Sequence, residues 1–246
     1  MKLKSVSTSP PEKFHKDATQ KETAKLKLRL DELQNLLYAG SKHALLVVFQ
    51  GMDASGKDGA VKNVFGGVNP LGCKVFAFKK PTELEMKHDF LWRIHQHVPE
   101  HGMIHIFNRS HYEDVLVQRV HKWIDEKTVK QRFGHINDFE KLLTESGITV
   151  LKFYLHISKE KQLERLRERM TDKTKMWKYN EEDLNERKLW NKYMNAYEDV
   201  FSNCGKISEW NIIPADHNWY KEYLVAQKVV ETLEGLKMKY PGMKRN

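Results

Sequence analysis

The chain has 246 residues, 40% hydrophobic and 30% charged, with a formal net charge of +9. These are ordinary values for a soluble domain with room for one sizeable core, or a core plus an insertion. Two cysteines, Cys73 and Cys204, exclude a disulfide framework, no Cys/His cluster has zinc-ligand spacing, and no apolar run reaches membrane length.

The first sixteen residues, MKLKSVSTSPPEKFHK, lack the apolar stretch of a secretion signal, so the expectation is a cytoplasmic protein whose two thiols are inert or in the core. Residues 1–20 read as a flexible basic arm, polar through residue 17 and carrying Pro10-Pro11, and 21–246 as a single domain. Leu26, Leu30, Leu33 and Leu37 recur at i, i+4, i+7 and i+11, which predicts an amphipathic helix over 21–38 on the domain's flank. Beyond it, short apolar runs alternate with helical patterns. Strands are expected at ALLVVF (44–49), KVFAF (74–78), MIHIF (103–107), ITVLKFYLHI (148–157) and EWNIIP (209–214). Helices are expected near 56–66, 84–98, 110–125, 135–145, 158–170, 181–201 and 217–237. Apolar strands separated by helices predict an α/β fold, a parallel sheet covered on both faces. No internal repeat is visible.

The stretch QGMDASGKDG (50–59) follows the first strand and contains G-x-x-x-x-G-K from Gly51 to Lys57. A glycine-rich turn between a buried strand and a helix aims backbone N–H groups and the positive helix end at one point, and Lys57 adds a full charge. Gly51, Ala54, Ser55, Gly56 and Lys57 therefore read as a phosphate-binding P-loop. Where such loops carry Ser or Thr for Mg²⁺, this one carries Asp58, and Asp53 lies inside the loop. Asp53 could hold the metal as a hard oxygen ligand or orient the accepting phosphate. Asp58 could serve the metal too, or merely complement the helix N-terminus.

After MIHIF come Asn108, Arg109 and Ser110, then His111-Tyr112-Glu113-Asp114. A neighbouring strand tip in P-loop enzymes usually carries an Asp that reaches the metal, and here that position is Asn108, a neutral ligand at best. Ser110 and Glu113 have the spacing of a capping box, which would give Glu113 a structural role. Arg109, a cation at a strand tip beside a phosphate site, suits a transferring phosphoryl group.

The net charge is local. Residues 1–30 hold eight Lys/Arg against three Asp/Glu, and residues 161–178 hold seven against three. In the second stretch Lys161, Arg165 and Arg169 share one helical stripe, followed by Lys173, Lys175 and Lys178. Glu164 and Glu168 would allow a solvated, salt-bridged helix. The excess of cations points instead to a helical lid, about 158–180, over a polyanion.

The motifs GMDASGKDG, FKKP (78–81), FLWR (90–93), FNRSHYEDVLVQRV (107–120), the lid through MWK (176–178) and IIPADHNW (212–219) resemble, in order, the family-2 polyphosphate kinases. The likeness covers roughly residues 40–235. It implies a nucleoside-kinase-like P-loop sheet with a helical lid, and reversible Mg²⁺-dependent phosphoryl transfer between inorganic polyphosphate and a nucleotide, adenine or another, with base preference left open. By motif, Asp53 and Lys57 match the loop's acid and lysine. Lys79, Arg109 and Arg119 match basic positions along a phosphate channel, and Arg165, Arg169, Lys175 and Lys178 match lid cations. Trp92 and Arg93 match a motif of no assigned role. The family implies a dimer or tetramer, and acceptors that are AMP, ADP or both; the FNRSHYED form resembles members that take both. The chain departs from the family at Asn108, often Asp; at Asn203 and Ser208-Glu209-Trp210, commonly Thr and Ala-Pro-Trp; and at Asn218, usually Lys.

Two other functions fit parts of the pattern. An ATP-dependent kinase would use the same loop but needs fewer lid cations than this chain carries. A non-enzymatic binder of nucleic acid or polyphosphate would use the basic arm and lid, with steep salt dependence. It leaves the metal-ready loop unexplained, and no nucleic-acid-binding motif is present, so nucleic acid and membrane are not expected partners.

Overall fold

A computed structural model describes residues 2–242. The strand β1 (Ala44–Gln50) is buried along all seven residues because it is paired on both sides. Its neighbours are β3 (Ile104–Asn108), with Leu45 opposite Ile104, and β4 (Ile148–His156), with Ala44 opposite Ile148. Continuous apolar character, rather than alternation, is what a strand covered on both faces requires. The outer strands are β2 (Cys73–Ala77), beyond β3, and β5 (Trp210–Pro214), beyond β4. All pairings are parallel, in the order β2-β3-β1-β4-β5. The chain leaves β1 toward one edge and later returns to its other side, so the C-terminal ends of β1, β3 and β4 open a crevice. In doubly wound sheets ligands bind there.

One group of helices packs α1 (Lys16–Gly40) on α9 (Asn218–Gly235), with α2 (Lys57–Phe65) alongside. The other joins α4 (Glu113–Val120), α5 (Glu126–Glu145) and α8 (Trp190–Asn203). The remaining helices are the single turn α3 (Trp92–His95), α6 (Lys159–Thr171) and α7 (Glu182–Lys188). Among the described residues no helix is long and apolar enough to cross a membrane.

All five expected strands are present within a residue or so of their expected ends, but several helices differ. The region 84–98 holds only a 3₁₀ turn at Glu85–Lys87 and α3. Thr82 and Glu85 satisfy each other's backbone N–H groups, and Asp89 accepts from the N–H of Leu91, so local side-chain bonds replace helical ones. The helix α5 starts nine residues earlier than expected, capped by Asp125 on the N–H of Thr128 at 2.8 Å. The segment 181–201 divides at Leu189 into α7 and α8.

The N-terminal stretch lies against the domain rather than extending as an arm. Leu3 is buried, its N–H and the Lys2 ammonium both reach Glu198 at 2.8 Å, and Thr8 exchanges two bonds with Asp216. The ring of Phe14 packs at a tilt against that of Tyr220, with centroids 4.9 Å apart. Two apolar or aromatic anchors, Leu3 and Phe14, in a polar stretch were too sparse to show periodicity.

Beneath the crevice runs a buried polar cluster. Lys152 of β4 donates to Glu140 at 2.6 Å, to the Tyr112 hydroxyl at 2.9 Å and to the carbonyl of Cys204 at 2.7 Å. Tyr112 also donates to Glu140 at 2.6 Å, so each charge has several partners.

Candidate active site

The P-loop connects β1 to α2 and turns on two glycines with positive φ, Gly51 at 151° and Gly56 at 93°. A Cβ on Gly51 would stand 2.9 Å from the carbonyl of Leu155, so the loop also needs the missing side chain. Lys57 folds back over the loop, donating to the carbonyls of Gly51 at 2.7 Å and Met52 at 3.2 Å. Burial, with help from the Arg109 charge, brings its pKa down from 10.5 to about 8.

Arg109 stands at the tip of β3 with φ of 64°, in the left-handed region that an L side chain seldom occupies. Its N–H donates to the carbonyl of Phe49 at 3.1 Å, which ties the tips of β3 and β1 together. The guanidinium thereby reaches Asp53 through one nitrogen and Glu113, at 3.0 Å, through another. Glu113 and then Asp53 hold the Arg109 pKa far above its ordinary value. Glu113 does not close a capping box: Ser110 accepts from Gln50 and from the N–H of Tyr112, and the Glu113 carboxylate goes to Arg109.

Asp58, the first acid of α2, accepts from Asn108 at 2.8 Å and from the ammonium of Lys178. Burial pushes its pKa up, but the two hydrogen bonds outweigh that and hold it below the usual carboxylate range. Asn108 is thus an orienter of Asp58.

The lid is α6 with the 3₁₀ turn Met176–Lys178. Its cations are largely matched by acids: Lys161 with Glu164 at 2.5 Å, Lys175 with Glu168 at 2.8 Å, Arg169 with Asp183 at 2.5 Å. Arg165 turns inward onto backbone carbonyls of the P-loop and of the β5–α9 loop. The salt-bridged helix is thus present, and several of its cations are already matched by acids.

These parts enclose a cleft of about 430 Å³ between the P-loop, the tips of β2 and β3, and the lid. It is lined by the loop from Asp53 to Asp58, with Lys79, Asn108, Arg109, Arg165, Arg169, Lys175 and Lys178. Three expected residues lie elsewhere. Arg119 is occupied by Glu126 at 2.8 Å and Asp199 at 2.7 Å, off the cleft. Arg93 is 6% exposed and donates to the carbonyl of Lys79 at 2.9 Å, so it braces the channel rather than lining it. Trp92 stacks on His88 with ring centroids 4.1 Å apart.

Sequence reasoning missed one cleft residue, Lys221, and two residues that hold cleft residues in place, Gln162 and Asp183. Gln162 is buried and donates to the carbonyl of Asp53 at 3.0 Å. Asp183 pairs with Arg169, and burial followed by the charge of Asp53 pushes its pKa up. Lys221 lies fully buried against the P-loop. Only Lys221 had a signal, a cation two residues beyond the IIPADHNW motif.

No group of three or more His, Cys, Asp or Glu side chains able to hold a metal converges among the described residues. Asp53, 23% exposed at the cleft, is suited to a Mg²⁺ that arrives on phosphate oxygens and takes one protein carboxylate.

The cleft therefore combines anion-binding backbone, cations from the P-loop, the tips of β2 and β3 and the lid, and the carboxylates of Asp53 and Asp58. The family profile described as polyphosphate kinase 2 matches residues 13–241. An AMP/ADP-polyphosphate phosphotransferase of Meiothermus ruber is 49% identical, covering 92% of this chain and 85% of the relative. An ADP-polyphosphate phosphotransferase of Rhodopseudomonas palustris is 43% identical, covering 87% and 78%. The crystal structure of polyphosphate kinase 2 from Arthrobacter aurescens superposes with a TM-score of 0.96 at 41% identity, over 100% of this chain and 89% of that one. Sequence, fold and cleft agree, and the chain belongs to the polyphosphate kinase 2 family.

Proposed function

We propose that this polyphosphate kinase moves the terminal phosphoryl group of inorganic polyphosphate onto both AMP and ADP. The observation that carries the reading is Arg109, placed between Asp53 and Glu113 at the edge of a cleft rich in cations. The breadth of acceptor is supported by the 49% identity to a relative named for AMP and ADP.

An oxygen of the nucleotide's terminal phosphate attacks the last phosphorus of the chain. The bridging P–O bond breaks, and its electron pair leaves on the shortened polyphosphate. The attacking oxygen is already deprotonated at neutral pH, so the work of the protein is positioning and charge neutralisation. Lys57 and the P-loop N–H groups hold donor oxygens. Arg109 neutralises charge on the transferring group, where a cation aimed at developing charge contributes most. The lid cations Arg169, Lys175 and Lys178 exchange their acid partners for phosphates farther along the chain. Asp53 would hold a Mg²⁺ ion, which would supply further charge neutralisation.

The test is purified protein with long-chain polyphosphate and Mg²⁺, given AMP or ADP separately, with nucleotides separated by chromatography. ADP and ATP from AMP, and ATP from ADP, are expected. Product from one acceptor alone would narrow the class, and turnover only with ATP as donor would overturn the reading.

A further inference from the structure

Behind the P-loop two cations meet with no acid between them. Arg165 donates to the carbonyls of Ala54 at 3.1 Å and Ser55 at 3.2 Å. Its other terminal nitrogen donates to the carbonyls of Ala215 at 2.9 Å and Asp216 at 3.1 Å, and to Asn218 Oδ1 at 3.1 Å. Lys221, fully buried at the start of α9, donates to the carbonyl of Gly56 at 3.1 Å and to the same Asn218 oxygen at 2.9 Å. Neither cation forms an ion pair with a carboxylate among the described residues.

Three consecutive P-loop carbonyls are thus held by two side chains from other segments. A peptide unit is planar and trans, so a carbonyl anchored on one side sends the next N–H to the other. Fixing the carbonyls of Ser55 and Gly56 therefore fixes the N–H groups of Gly56 and Lys57, which begin α2 and form its positive end. The approach is tight: a Cβ on Gly56 would lie 2.6 Å from Lys221 Nζ. The glycine serves the lysine as well as the turn. Asn218 Oδ1 accepts from both cations.

We propose that Lys221, together with Arg165, is a positioning residue for the phosphoryl donor. The pair sets the P-loop peptides toward the donor phosphate and leaves buried positive charge that the bound phosphate neutralises. This rests on the polyphosphate reading above. Burial and the neighbouring Arg165 lower the Lys221 pKa to about 8, as a charge lacking its counter-ion requires. Uncompensated buried charge costs stability in the free protein and is recovered on anion binding.

The experiment compares wild type with Lys221→Met by thermal melts with and without long-chain polyphosphate, and by steady-state kinetics. The free variant is expected to melt at or above the wild-type temperature. Its polyphosphate-induced shift should shrink, and its KM for polyphosphate should rise about tenfold with nucleotide KM unchanged, since a bond to a charged group is lost. A lower melting temperature with an unchanged ligand shift and KM would make Lys221 purely structural and overturn the proposal. Should Lys221→Met not fold, Lys221→Gln keeps a donor for Gly56 and removes only the charge; wild-type KM and shift there would equally overturn it. Failure of the reaction reading is visible separately, as absent wild-type turnover with the binding shift intact.

Discussion

Asp58, on the first turn of the P-loop helix, is ion-paired with Lys178 at the far end of the lid segment. The segment is therefore fastened to the P-loop by two of the protein's own residues, and on the proposed function a bound polyphosphate would compete with Asp58 for Lys178. Both partners are partly exposed, at 61% and 32%, so the pair is worth at most about 1 kcal/mol. Asp58→Asn should release Lys178 and lower the KM for polyphosphate by up to about fivefold, with kcat nearly unchanged. A raised KM or a collapsed kcat would instead put Asp58 on the metal, the other role open to it.

Arg109, Asp53 and Glu113 make different demands. Asp53→Asn leaves a side chain that still accepts from Arg109 but binds Mg²⁺ poorly, so kcat should fall by about 10²–10³-fold while the protein stays folded. Glu113→Gln removes a partner of Arg109 without touching the proposed metal ligand, and a smaller loss is expected. Equal losses at the two positions, measured by single-turnover ATP formation, would mean that Asp53 acts only through Arg109.

The strands and the P-loop were legible because each is a local pattern: an uninterrupted apolar run, and a spacing of glycines before a lysine. Asp53, Lys57 and Arg109 stand on those patterns and meet in one cleft. What the sequence hid depends on distant partners. Arg119 looks like a channel cation until Asp199, eighty residues on, claims it. Arg165 shares a stripe with Lys161 and Arg169, yet only the approach of the P-loop and the β5–α9 loop turns it onto carbonyls. Helix 84–98 failed for the opposite reason, because Thr82, Glu85 and Asp89 satisfy nearby N–H groups themselves. Charge counting cannot tell a lid cation awaiting phosphate from one already paired with an acid.

The lowered pKa of Lys57 has opposite consequences for activity and stability. Donor phosphate needs the protonated ammonium, so kcat/KM should fall as pH rises through about 8. Bound phosphate favours the charged form, which places the alkaline limb of kcat at higher pH than that of kcat/KM. For folding, the unfolded lysine near 10.5 holds its proton more tightly than the buried one. The stability lost to burying the ammonium is fully absent from the folded protein below about 8, and it returns as pH rises toward 10.5. Between those values the melting temperature of ligand-free wild type should gain on that of Lys57→Met. A parallel pair of melting curves would mean Lys57 titrates as a free lysine.

The buried Tyr112–Glu140–Lys152 cluster lies next to the loop that carries Arg109. Tyr112 belongs to the same loop as Arg109, and its hydroxyl is held by Glu140 and Lys152 deep under the sheet. Glu140→Leu would leave the Lys152 ammonium buried without its acid, at a cost of about 3–5 kcal/mol. The double variant Glu140→Leu/Lys152→Met removes both charges and should recover most of that loss in denaturant melts. Tyr112 then keeps its ring packing but loses both polar partners. If the cluster also steadies Arg109, the double variant should regain stability while kcat stays depressed. Recovery of both together would confine the cluster to folding, and failure to recover stability would show that the pair contributes more than the mutual cancellation of two buried charges.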